Sequence, residues 1–234
     1  AAAAEALSAV FVNLPTRRRP HWRWATPLLA TLMVGTYIWI TLLPDDAAWR
    51  DTLLRWGTLS GSVTEWRAAL RDERLLTLLS ALFIHAGPLH LVGNLLFLLI
   101  FGLPSERVMG AWRFGLLFLA GGALANLAAA LLMNDPSRVI IGASGGVSAV
   151  IGAYLALFPG ARLGVVVPLG LWLEFIKVPA ALLIGLWAVL QLIFTFAGPS
   201  FGAVAWWAHL AGFGVGLVYA LALKPMLARR SRGR

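Results

Sequence analysis

Residues 75–103 read LLTLLSALFIHAGPLHLVGNLLFLLIFGL, 29 positions without an Asp, Glu, Lys or Arg. A membrane-spanning helix needs about 20 apolar residues to cross some 30 Å of hydrocarbon, so this run is longer than one crossing requires. Gly87-Pro88 divides it. Proline suits the first turn of a helix and is costly inside one. The spacing therefore predicts a span beginning near Pro88 and a separate helix or interfacial segment over 75–86.

Further apolar runs lie at 25–43 (closed by Pro44-Asp45-Asp46), 113–133, 144–158, 179–197 and 204–223. The run at 144–158 covers only about 22 Å at 1.5 Å per residue, so neighbouring helices must shelter it. The expected fold is an all-α integral membrane protein, a bundle of six transmembrane helices over 25–223. A segment at 1–24 precedes it and a basic tail at 224–234 follows. Residues 44–87 make a first loop far longer than a usual connection. The 1–24 segment has no short apolar core with a cleavage site, so no cleaved signal peptide is expected.

Composition agrees with this. Of 234 residues 60% are hydrophobic and 12% charged, and mean hydropathy is +0.82; a soluble domain carries about 25% charge and has no means of hiding so much apolar surface. With no cysteine in the chain, disulfides, thiolate-bound metals and a cysteine nucleophile are excluded. A net charge of +9 would suit nucleic acid, but its distribution explains it better. If the six spans alternate, one side holds 13 of the 19 Lys and Arg and the other holds 6 together with seven of the ten acids. By the positive-inside rule both termini are cytoplasmic. A multi-pass protein of a bacterial inner or plasma membrane is expected, with no nucleic-acid partner.

Polar side chains in hydrocarbon are costly and commonly functional. His85, His90 and His209 fall in apolar stretches, and His90 and Asn94 share one helical face. Such side chains also knit helices together by hydrogen bonds. Ser144, in Gly142-Ala-Ser-Gly-Gly146, opens the fourth span. A serine there is a good cap, yet it also stands beside free N–H groups and a positive dipole end, which suit an oxyanion. Small residues at Ser144, Ser148, Gly152 and Ala156, and at Gly212, Gly216 and Ala220, form stripes that let two helices approach closely. Both helices run inward, which places Ser144, His209, His90 and Asn94 at one depth just below the outer face. Ser144 then reads as a nucleophile and His209 as its general base. His90, Asn94 and the Ser144 N–H read as oxyanion donors. No Asp or Glu stands out as a third member, since Glu106 and Glu174 lie toward the cytoplasmic side and Asp135 falls in an unplaced loop, so a Ser–His dyad is expected, without metal or cofactor.

These residues together resemble the rhomboid family of intramembrane serine proteases over about 74–221. The likeness rests on Arg74-Leu-Leu-Thr77, His85-Ala-Gly-Pro-Leu-His90-Leu-Val-Gly-Asn94, Glu106-Arg-Val-Met-Gly110, Gly142-Ala-Ser144-Gly145 and His209-Leu-Ala-Gly212-Phe-Gly-Val-Gly216. The resemblance implies a six-helix rhomboid bundle that cleaves transmembrane protein substrates near the outer face. It implies Ser144 and His209 as the dyad, His90, Asn94 and Gly142 as oxyanion support, and His85, Glu106, Arg74, Gly145, Gly212 and Gly216 as structural. The fifth span and the 197–205 loop would form a gate and cap. Two positions depart from the family pattern. Glu73 precedes Arg74 where a Trp-Arg pair is frequent, the pair here being Trp66-Arg67. Ser148 stands where many members have a tyrosine stacking on the histidine, so the expectation is a ring held less firmly, or held by another aromatic such as Phe213 or Trp206. The rival is a non-catalytic rhomboid-like protein that binds or escorts membrane clients, but such relatives generally lack the serine or histidine. A transporter would show paired charges or broken helices at the midplane and an internal repeat.

Overall fold

A computed structural model describes residues 23–61, 74–133, 138–169, 172–197 and 205–232. The Trp66-Arg67 pair, the arginines at 17–19, Asp135 and most of the 197–205 loop lie outside these residues.

Helix α1, Ala25–Thr41, begins without a capping side chain of its own. Its first two N–H groups, those of Ala25 and Thr26, instead donate to the two carboxylate oxygens of Glu106, each at 2.9 Å. Asp45 caps α2, Asp46–Trp56, accepting from the Ala48 N–H at 2.8 Å. The chain pairs briefly as β1, Thr58–Leu59. It then passes through a 3-10 turn from Arg74 to Leu76, the short helix α3 (Thr77–Ser80) and a second 3-10 turn to Phe83. The break expected at Gly87-Pro88 is present: Pro88 takes the first turn of α4, Pro88–Met109. A π-helical stretch over Leu98–Gly102 lies directly upstream of Pro104, whose missing N–H and bulky ring disturb the preceding turn.

Helix α5, Ala111–Leu132, buries Phe114, Leu117, Phe118, Gly121, Gly122, Ala125, Asn126 and Ala129, a stripe with helical spacing. Asn126 donates to the Leu78 carbonyl at 2.9 Å and ties α5 to α3. Strand β2, Val139–Ile140, pairs antiparallel with β1 (Thr58 opposite Ile140, Leu59 opposite Val139). Helix α6, Ser144–Leu157, has 14 residues and reaches about 21 Å. Every residue from Gly145 to Tyr154 is buried, so the short span is sheltered inside the bundle.

Between the fourth and fifth apolar runs the structure holds a feature absent from the sequence expectations. Strands β3, Arg162–Leu169, and β4, Trp172–Pro179, form an antiparallel hairpin with Leu169 opposite Trp172. Helix α7, Ala180–Ala197, follows and buries only Ala180, Ile184 and Gln191. Helix α8, Trp206–Arg232, runs well past the expected end at 223, through Pro225. A helix leaving the membrane need not stop at its edge.

Four described helices are long and apolar enough to span a membrane (Pro88–Met109, Ala111–Leu132, Ala180–Ala197 and Trp206–Leu227), and α1 and α6 are shorter apolar helices. Large apolar side chains such as Leu28, Ile38, Leu96, Leu116, Leu186, Ile193 and Val218 face outward. In a bilayer they meet lipid while the helices satisfy their own backbone groups. The protein is an all-α integral membrane protein in its spanning part.

Candidate active site

The site begins with close packing of α6 on α8. A Cβ on Gly212 would meet the Gly145 carbonyl, and one on Gly216 the Ala149 carbonyl. The small-residue stripes of the two helices therefore lie backbone to backbone, as their spacing predicts. Gly145 also presses on α5, where a Cβ would come within 2.8 Å of the Ala125 side chain.

This contact brings the first residue of α6, Ser144, and the first turn of α8, which bears His209, onto one cavity of about 210 Å³. His90 and Asn94 of α4 line the same cavity, as do Ser148 and Trp187. The four polar residues that the sequence placed at one depth thus share one cavity. Ser148 donates to the Ser144 carbonyl at 2.7 Å, which commits its hydroxyl proton to its own helix.

The loop before Ser144 is held by histidines. The Ala143 N–H donates to His85 Nε2 at 3.5 Å, while His85 Nδ1 lies 3.1 Å from the Phe83 carbonyl. With Nε2 accepting, the Nδ1 proton goes to Phe83. His85 precedes the α4 span; burial, and then the neighbouring His90, push its imidazole down to about 4, against the Phe83 carbonyl that raises it. Neutral His85 is therefore a strut for the serine loop. His90 packs edge-on against it at 5.1 Å and accepts the Ala86 N–H at Nδ1, 3.4 Å away. That contact leaves the His90 proton on Nε2.

Gly142 has φ +113°, a conformation open to glycine, and a Cβ there would stand 2.6–2.7 Å from the His90 ring. Its N–H donates to the Ala81 carbonyl at 2.8 Å. Asn94 is buried and donates one amide proton to the His90 carbonyl at 2.8 Å, keeping a second. Glu106 lies at the far end of α4, fully buried under the α1 N-terminus, and Arg74 opens a 3-10 turn.

Two aromatic rings and an amide surround His209. Trp187 stacks on it at 6.4 Å and 30°, and Trp206 meets it edge-on at 5.8 Å and 87°. Phe213 packs on Trp187 rather than directly on the histidine. Of the two aromatics expected to hold the ring, Trp206 touches it, and Trp187 of α7 supplies the stacking face. Gln191, which the sequence reading passed over, places Oε1 2.6 Å from His209 Nδ1. It is the one Asn, Gln or charged residue in Ala180–Ala197, and that isolation in an apolar span was the available signal.

The model of the Rhomboid domain matches residues 72–226. Rhomboid-related protein 2 of Mus musculus is 36% identical over 111 residues, 46% of this chain and 36% of the relative. RHOMBOID-like protein 6, mitochondrial, of Arabidopsis thaliana is 32% identical over 92 residues, 39% of this chain and 29% of the relative. RHOMBOID-like protein 5 of Arabidopsis thaliana is 27% identical over a longer stretch of 172 residues, 61% of this chain and 56% of the relative. The chain thus spans about a third of the first two and a little over half of the third. Spanning helices, a serine and a histidine facing one cavity, and a domain match across most of the bundle agree: the chain belongs to the rhomboid family.

Proposed function

We propose that the protein is an intramembrane serine protease that hydrolyses peptide bonds of transmembrane-segment substrates near the outer membrane face through Ser144 and His209. The observation that carries this reading is the single cavity onto which Ser144, His209, His90 and Asn94 all open.

In the proposed reaction His209 Nε2 takes the Ser144 hydroxyl proton as the oxygen attacks the scissile carbonyl. The developing oxyanion accepts from the N–H groups of the first turn of α6, from the free Asn94 amide proton and from His90 Nε2–H. Gly142 contributes by leaving room for the His90 ring. The imidazolium then protonates the leaving amine, and water repeats the sequence to release the acyl chain. A helical substrate hides its carbonyls in its own hydrogen bonds, so the segment must unwind before it is cut. The chemistry needs no metal or cofactor, and the partners are transmembrane proteins and lipid.

The test is labelling of the full chain with a fluorophosphonate probe, alongside cleavage of a model transmembrane substrate. Wild type is expected to label and cleave, and Ser144→Ala and His209→Ala to do neither while remaining folded. Cleavage that survives in either variant removes the dyad. A folded wild type that neither labels nor cleaves leaves the client-binding reading in its place.

A further inference from the structure

The His209–Gln191 contact joins the α8 histidine to a helix outside the α6–α8 contact. A neutral imidazole carries one proton, and the hydrogen bond at one nitrogen decides which nitrogen keeps it. An amide oxygen at Nδ1 holds the proton there and leaves Nε2 bare. A serine's general base needs a bare nitrogen toward the hydroxyl. Gln191 is only 6% exposed, and a buried acceptor needs a donor; the 2.6 Å separation is at the short end for nitrogen and oxygen. The partner is neutral, so the pair sits in apolar surroundings without the desolvation cost of a buried carboxylate.

On the reading of Ser144 and His209 as a protease pair, we propose that Gln191 is a positioning residue of the site: it accepts the His209 Nδ1–H and so presents Nε2 to Ser144. Proton traffic balances with the amide unchanged. The serine proton moves to Nε2 and on to the leaving amine, while Nδ1–H stays bonded to Gln191 throughout. Gln191 comes from α7, where Ala180 and Ile184 are the only other buried residues, and Trp187 stacks on the same imidazole one turn earlier. One lightly anchored helix therefore supplies both the stacking face and the hydrogen-bond partner of the base. Displacing α7 disorients the base as well as opening the cavity wall.

The experiment is nitrogen NMR of the full chain in lipid bicelles with ring-labelled histidine, the His209 signals being those lost in His209→Gln. Wild type is expected to show protonated Nδ1 and bare Nε2, and Gln191→Leu a mixture of the two tautomers. A proton on Nε2 in wild type, or an unchanged ring in Gln191→Leu, overturns the proposal. In the cleavage assay Gln191→Leu is expected to lower kcat by roughly 10- to 100-fold, by analogy with the partners that orient metal-bound histidines, with KM little changed. Gln191→Glu is expected to restore turnover and move the acid limb of the pH profile upward, because a carboxylate at Nδ1 favours the imidazolium. Among the described residues the other titratable group facing His209 is His90 of α4, present in every variant, and Ala180–Ala197 carries none. A packing role alone would leave the pH profile in place and make Glu no better than Leu. Wild type without any cleavage would remove the protease reading, while the ring spectrum still decides which nitrogen Gln191 holds.

Discussion

Asn94 has two amide protons, and one is committed to the His90 carbonyl of its own helix. The side chain is thereby locked with the second proton left for the cavity it lines. A locked donor stabilises developing charge without reorganising at the moment of reaction. Asn94→Ala is expected to lower turnover by about 10- to 1,000-fold with the fold intact, the range for a lost oxyanion donor; an unchanged rate in the cleavage assay removes Asn94 from that role. This residue was legible in the sequence because an Asn four positions after a His stands out in an uncharged run. Ser144 and His209 were legible for the same reason. Gln191 stands out in its apolar span just as much, but its role was not legible, because its partner lies 18 residues away and only the packing of α7 on α8 brings them together. Trp187 was invisible in a different sense: in a chain with 11 tryptophans, one more in an apolar span carries no signal.

Elements here are fixed by a few contacts that a single atom can break. Gly212 faces the Gly145 carbonyl, backbone that has no rotamer by which to withdraw. Gly212→Ala is expected to cost about 1–3 kcal/mol, the usual range for overpacking, and to lower the melting temperature in detergent. Gly35→Ala, with nothing within 4 Å of the added carbon, is the control expected to melt like wild type. Equal melting of the two would show that α6 and α8 are not packed backbone to backbone. Glu106 is the second such point, because its carboxylate serves two otherwise unpaired N–H groups of α1. Glu106→Gln turns an amide N–H toward one of them and is expected to destabilise by about 1–3 kcal/mol, whereas Glu174→Gln on the exposed hairpin is expected to be neutral; the same melts compare them. Most helices were readable from apolar length and from Pro88. The β3–β4 hairpin was overlooked, although a two-residue gap beginning with Gly170 between β-branched runs is a hairpin signal. It was obscured because an apolar strand run and a fragment of apolar helix look alike in so hydrophobic a chain.

At the scale of the whole molecule, pairings between segments distant in sequence sort the ends of the helices into two faces. The β1–β2 pair joins the long first loop to the segment before Ser144, so these share a face. Glu106 joins the end of α4 to the start of α1 on the other, where the β3–β4 hairpin also belongs by alternation of the spans. That grouping matches the uneven distribution of Lys and Arg, and by the positive-inside rule the hairpin face is expected to be the cytoplasmic one. The absence of native cysteines makes the orientation directly testable. Ala47→Cys sits on exposed α2, and Gly160→Cys lies in the exposed turn after α6, where an added carbon meets nothing within 4 Å. A membrane-impermeant maleimide applied to intact cells is expected to label Ala47→Cys at once and Gly160→Cys only after lysis. The reverse pattern would invert the topology and put the Ser144 cavity near the cytoplasmic face. On the proposed protease reading a substrate would then have to be unwound and cut on that side, although every contact within the bundle stayed the same.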